Sequence, residues 1–368
     1  MLLTRASPIV LRSRLAGIGN CAKTPGHRCV ARRSFVSCTG NQMRELQGLA
    51  PQPLPDKLEA LLKVLKVGGH EFVGPTASAN LHPFLLPLSK GPQVLPSLSE
   101  PTDVSTSAET VYVCLLVWPE PSEHKGMELP VVSMSSGAPS VRLLARSVDE
   151  YLHRVLAAED IAGKSRELAE AAGEMGSAIY AKGSAAAFGP ERFDAYLATK
   201  AGMYCDVAER LVYNHVAKGD QMSSLITGEW YMRKHFSGWA RPYEFNAQHL
   251  MRCGRDEEAR DTARMALRMP WWSLQQGYEP TASLANIPGS PQEVFTVLND
   301  EGGVQGPIQQ QQKAARTAAE EARLRADELM DMVAASGVGN WDDIRPELSS
   351  LFQQSGLEQM RPVLEARA

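Results

Sequence analysis

Four short stretches carry residue types and spacings that could do chemistry. Ala162–Ser165 reads AGKS, the ending of a loop whose backbone N–H groups cradle phosphates while its lysine neutralises them. That loop needs a glycine at 158, where this chain has Ala158, and the preceding VLAAEDI is helical in pattern. Ser133–Ala138, SMSSGA, would place Ser135 as a nucleophile on a sharp elbow, but the first glycine of that elbow is missing and Ser135 fits a strand end or turn. His249 and Cys253, four apart, would share one helix face, yet two ligands fall short of the four a structural zinc takes. His70, His82, His124, His153, His215 and His235 form neither HExxH nor HxH. Glu229, Arg233, Asp256 and Glu257 could line a polar groove, but their convergence does not follow from the sequence. No catalytic residue, metal ligand or cofactor is assigned.

The densest mixture of aromatic and guanidinium side chains lies at 233–272, with Trp239, Arg241, Tyr243, Trp271 and Trp272. Such a mixture is typical of anchors at protein interfaces, so these five are the candidate partner-binding residues. The competing assignment is the protein's own core. Trp271 and Trp272 point about 100° apart on a helix or turn, so they cannot both join one core stripe. One would seal the local helix pair while the other meets the next helix or a partner. The same region would form the wall of a pocket if the chain were a ligand-binding protein or an enzyme.

The elements that must position these residues are mostly helices. Residues 242–270, PYEFNAQHLMRCGRDEEARDTARMALRMP, outline two helices joined at Cys253–Arg255, with Gly254 at the turn. Small Ala247, Ala259 and Ala266 beside large Leu250 allow close packing. This stretch resembles a tetratricopeptide repeat, with Tyr243 at its aromatic start and Pro270 one residue early at its close. Upstream, Ser147 caps a helix with Glu150 as its reciprocal partner. Further helices are expected at Lys164–Tyr180, Glu191–Ala217 and Met222–His235. Downstream, Asn286–Gln292 and Glu301–Pro307 are breaks, and a long alanine- and charge-rich helix follows. A C-terminal pair, Asp342–Phe352 and Gly356–Glu365, would cap the stack. Before residue 147 the pattern differs. Thr110–Trp118, TVYVCLLVW, is a strand, with shorter ones at Glu128–Met134 and Val141–Leu144. The proline-rich stretch from Pro75 to Pro101 reads as loop or as a wrap around another surface. The expected fold is mainly α: an irregular, tetratricopeptide-like helical-repeat domain with a small N-terminal β element. Its expected parts are 1–40, 41–107 (largely irregular, one short helix), 108–146 (β), 147–300 (helical repeat) and 301–368 (linker and C-terminal helices).

Residues 1–40 hold seven Lys or Arg and no acid, leaving 31 bases against 42 acids beyond them. An acid-free segment rich in Arg, Ser and Ala has the make-up of an organellar transit peptide. The acidic remainder argues against sequence-independent nucleic-acid binding. No run of 18 apolar residues exists, so no membrane span is expected. Cys114, Cys205 and Cys253 beyond the leader form no CxxC pair, consistent with thiols in a reducing compartment.

The stretch RKHFSGWARPYEFNAQHLMRCGRDEEARDTARMALRMPWWSL, together with KGMELPVV and SVDEYLHRVL, resembles a family of plant and green-algal plastid stromal proteins over most of residues 105–360. The resemblance implies plastid import and a mainly helical fold, and brings no catalytic residues. The expected function is that of an organellar scaffold or adaptor in the chloroplast stroma, the mitochondrial matrix being the alternative. Its expected partner is a protein or an organellar assembly.

Overall fold

Val111–Leu116 (β3) is the strand around which the N-terminal half is built. Its last four residues are all buried. A strand that keeps one face in water alternates apolar and polar residues, so this run means both faces are covered. The computed structural model describes residues 40–74, 76, 80–95, 110–163, 166–301 and 316–366. Residues 1–39, nearly all of the expected transit peptide, and the glutamines at 309–312 lie outside the described residues. Residues 41–368 form one compact unit.

The sheet is larger than the three strands expected. It is a five-stranded antiparallel meander of β1 (Glu71–Phe72), β2 (Leu85–Gly91), β3, β4 (Val131–Ser135) and β5 (Arg142–Ala145). The added strands come from the segment that reads as irregular. Pro83, Pro87 and Pro92 disguise β2. Pro87 lacks an N–H, and the ladder with β3 shifts register between Pro87 and Ser89. Gln42, on the helix at residues 40–49 (α1), donates to the Leu88 carbonyl at 2.9 Å beside that irregularity.

Helix α2 (Leu58–Val67) precedes the sheet, and α3 (Val148–Ala162) follows it. Ser147 caps α3 by accepting from the Glu150 N–H at 3.2 Å. The expected reciprocal bond is not made; Glu150 instead pairs with Arg146. Helix α4 (Glu167–Ile179) breaks at Gly173, whose φ of 58° is left-handed. The single helix expected at Glu191–Ala217 is two pieces, α5 (Phe193–Tyr196) and α6 (Cys205–Ala217). Gly202 separates them at φ 145°, and a Cβ there would fall 2.5 Å from the Glu150 carboxyl carbon. Only glycine fits both requirements.

Two consecutive hairpins come next: α6 with α7 (Gln221–Lys234), and α8 (Arg241–Arg252) with α9 (Asp256–Ala266). Gly254, at φ 73°, turns the second as its sequence indicates. The Arg255 N–H reaches the Leu250 carbonyl and the Gly254 N–H the Met251 carbonyl, the bond pair of a Schellman stop. Ala247, Ala259, Ala263 and Ala266 are sealed from solvent at the contact. Beyond α10 (Tyr278–Ala285) and α11 (Pro291–Glu301), α12 (Ala318–Ala335) opens with a full capping box from Thr317 and Glu320.

Helices α13 (Arg345–Gln354) and α14 (Arg361–Glu365) fold back to the N-terminal half rather than ending the helical stack. Trp341 donates its indole N–H to the Ala138 carbonyl and its backbone N–H to Asn80 Oδ1, both at 2.8 Å. The wholly buried Arg345 donates to the Leu81 carbonyl at 2.6 Å. No described helix is long and apolar enough to cross a membrane.

Candidate functional site

Arg241, at the start of α8, is a clasp between helices. Its Nε and Nη2 grip the two oxygens of Glu209 on α6 at 2.7 Å each, and its Nη1 reaches Glu244 one turn on at 3.0 Å. Tyr231 on α7 donates its hydroxyl to Glu209 at 3.1 Å. Glu244, 1% exposed, also accepts from the Gln275 and Gln276 N–H groups at 2.9 and 2.8 Å. Helices α6, α7 and α8 and the chain before α10 are thus tied at one charged knot. Burial alone would lower the Arg241 pKa, but the two carboxylates outweigh it and hold the guanidinium well above its usual range. Burial likewise pushes the neighbouring Cys205 thiol up to about 12, leaving it unreactive near neutral pH.

A second knot fastens α3 to α6. Arg154 donates to Asp206 Oδ1 at 2.8 Å, and Arg210 bridges Asp206 and Asp194. Desolvation would raise the Asp206 pKa, yet the two arginines keep it well below the usual carboxylate range.

Trp239, Trp271 and Trp272 are all closed inside the protein, at 0%, 1% and 1% exposure. The two adjacent tryptophans occupy a 3-10 turn between α9 and α10, which lets them diverge. Trp271 donates its indole N–H to the Leu267 carbonyl at 2.8 Å, sealing the hairpin, and stacks on Tyr278 at 4.5 Å. Trp272 faces the other way, against Trp239, Trp118 and His82. It is the plug between hairpin and sheet. The rings are closed to solvent; of the five candidates, Arg241 and Tyr243 are partly exposed. His249 and Cys253 do share a face, with the sulfur 3.9 Å from the ring Nε2, but that nitrogen is also 3.1 Å from the Ser224 hydroxyl.

What the sequence did not reveal is a cleft of about 380 Å³ beside this plug. Trp118 and Trp272 form its apolar back. His124, from the 3-10 turn after Trp118, stacks on the Trp118 ring at 3.7 Å and donates its Nδ1–H to the Ser237 carbonyl at 3.0 Å. A Cβ on Gly238 would fall 2.5 Å from His124 Cε1, so glycine permits that approach. The far wall is α12, carrying Arg323, Asp327 and Asp331. Asp331 accepts from the Trp271 N–H at 2.8 Å. The signal available in sequence was the four-residue spacing of Asp327 and Asp331 on one helix face, and the pairing of that face with the hairpin was not.

Fold and site define a mainly helical protein with an antiparallel N-terminal sheet and a cleft at their junction. Residues 41–200 match the PAB N-terminal family model and residues 205–290 the PAB middle domain model. The chain is 34% identical over 328 residues to "Protein IN CHLOROPLAST ATPASE BIOGENESIS, chloroplastic" of Arabidopsis thaliana, covering 88% of this chain and 91% of that protein. The chain therefore belongs to this plastid protein family. No solved structure matches it. The two matched regions meet at the Gly202 break, and the cleft draws its walls from both and from α12 beyond them.

Proposed function

We propose that this protein acts in the chloroplast stroma as an assembly factor, an adaptor that holds a polypeptide of the chloroplast ATPase while that complex is built. The observation that carries this reading is the identity shared almost end to end with the chloroplast ATPase biogenesis protein. Two stacked hairpins, an irregular relative of a tetratricopeptide array, offer extended surface for a protein partner. The buried charged knots support the same reading, since they fix the helices that would present it. The acid-free leader supplies import and is removed on entry.

Affinity capture with the tagged mature chain from isolated chloroplasts tests this. Chloroplast ATPase polypeptides enriched over a control bait, in near-stoichiometric amount, are expected. Recovery of the bait without them, under conditions that preserve labile complexes, would overturn the proposal.

A further inference from the structure

We propose that the groove between α8, α9 and α10 takes one acidic side chain, glutamate or aspartate, of the partner polypeptide. This deepens the assembly-factor reading and rests on it for the partner being a protein. The groove has a volume of about 710 Å³. Its charged lining among the described residues is Arg252 on α8 with Asp256 and Arg260 on α9. Two guanidinium groups against one carboxylate leave an excess of one positive charge. That sign sets it apart from two other clefts. The one beside Trp272 sets Arg268 and Arg323 against Glu123, Asp327 and Asp331. A third, beside α3 and α4, sets Arg166 and Lys182 against Glu159, Asp160 and Glu170. Both carry an excess of acid, as does the chain beyond residue 40. Of the three, only the α8–α10 groove attracts an acidic group.

Its cations are not neutralised within the fold. Arg260 is partly buried and makes no hydrogen bond or ion pair among the described residues. Arg264, one turn on, takes the Ala285 carbonyl at the end of α10 at 3.2 Å. Arg252 donates to the Tyr213 hydroxyl at 3.1 Å and lies over that ring at 5.9 Å, neutral contacts that leave its charge uncompensated. Asp256 is exposed at the first position of α9, where the helix dipole favours an anion. Among the described residues it makes an ion pair with neither arginine. Glu244, which fixes the Gln276 end of the groove, is already engaged by Arg241 and two backbone N–H groups.

The rest of the lining suits a peptide carrying one acid. Gln248 and Gln276 exchange hydrogen bonds at 2.7 and 3.1 Å, bridging α8 to the chain before α10. Met251, 41% exposed, offers apolar contact to residues flanking the acid, with Pro280 and Leu284. A guanidinium fork grips a carboxylate through two parallel N–H···O bonds. One carboxylate matches the excess charge of the groove, whereas a phosphoryl group, at about −1.5 to −2, would exceed it beside Asp256. A partly buried guanidinium without a counter-charge is a cost to the fold that a bound carboxylate offsets.

The test titrates the isotope-labelled mature chain with acetyl-Ala-Leu-Glu-Leu-Ala-amide at low salt, and with its glutamine counterpart as the uncharged isostere. Backbone amide shifts around the groove give the affinity. The Arg260 Nε–H signal, identified by its loss in Arg260→Gln, reports the contact itself. The glutamate peptide is expected to shift that signal saturably and to bind about fivefold tighter than the glutamine peptide, the yield of one charged hydrogen-bonded pair near the surface. Arg260→Gln should bring the two peptides to equal affinity with an unchanged melting temperature, because Arg260 has no partner to lose. Asp256→Asn should tighten the glutamate peptide about twofold by removing the competing charge. Equal affinity for the two peptides, no shift with either at millimolar concentration, or a glutamate preference that survives Arg260→Gln overturns the inference. A phosphoserine peptide that binds tighter than the glutamate peptide overturns it in favour of a phosphoryl ligand. The peptide result does not depend on the ATPase: peptide failure with successful capture of ATPase polypeptides sinks the groove and leaves the assembly reading standing.

Discussion

Replacing Arg241 by alanine strips the charge from a knot that joins three helices. Glu209 would keep only the Tyr231 hydroxyl, at 11% side-chain exposure, and Glu244 would keep two backbone donors at 1%. Removing one partner of a buried pair leaves an uncompensated charge, at about 3–5 kcal/mol. In a unit this large that corresponds to a fall of roughly 4–7 °C in melting temperature. The guanidinium stays protonated throughout the accessible pH range, so the loss should be flat between neutral and mildly acidic pH. Urea unfolding of the mature chain followed by tryptophan fluorescence reads the change, because Trp239 and Trp272 are buried close by. The double variant Arg241→Met with Glu209→Gln removes both charges and should recover at least about 1 kcal/mol relative to the sum of the single losses. A single variant that melts within about 3 °C of the parent would refute the clasp. Arg241 would then be a surface residue free to serve as a partner anchor.

Four further outcomes follow from the same geometry. Trp272→Ala should cost about 3–5 kcal/mol by emptying the plug between hairpin and sheet, measured by the same unfolding curve. Ala259→Leu should overpack the α8–α9 contact at about 1–3 kcal/mol, and an unchanged midpoint would mean the contact yields freely. Asp331 has a raised folded-state pKa, so the native state holds its proton longer than the unfolded chain and the group lowers stability as pH rises past about 4. Asp331→Asn should therefore gain on the parent between pH 4 and pH 8, and a difference independent of pH would contradict this. Sequencing the N-terminus of the endogenous protein should find residues 1–40 absent; an intact Met1 in the chloroplast pool would reject the transit peptide.

The hairpin at Gly254 was legible because its cues are local: a helix stop, an acidic first turn and alanines at helical spacing. Strand β3 was legible for the same reason, as six β-branched and apolar residues in a row announce a covered strand. Strand β2 was hidden because prolines argue locally for a loop, while the side chain of distant Gln42 and the bulge at Pro87 accommodate one. The break at Gly202 depends on the approach of Glu150, more than fifty positions away. For the candidate site, the sequence pointed to the right neighbourhood, but arginine and tryptophan serve equally in knots and at interfaces. Only burial separates those uses, and it places the three tryptophans inside the protein. The cleft escaped notice because its acids and its aromatic back lie on segments brought together by the return of α12.

The central claim is that this chain helps build the chloroplast ATPase, and its most direct test is replacement in Arabidopsis thaliana. A line lacking the related biogenesis protein would express this chain with its own leader, and assembled chloroplast ATPase would be quantified on native gels. Restoration to near the wild-type amount is the expected result. If the chain accumulates in chloroplasts at the level of the missing protein and the assembled ATPase does not rise, the account is contradicted.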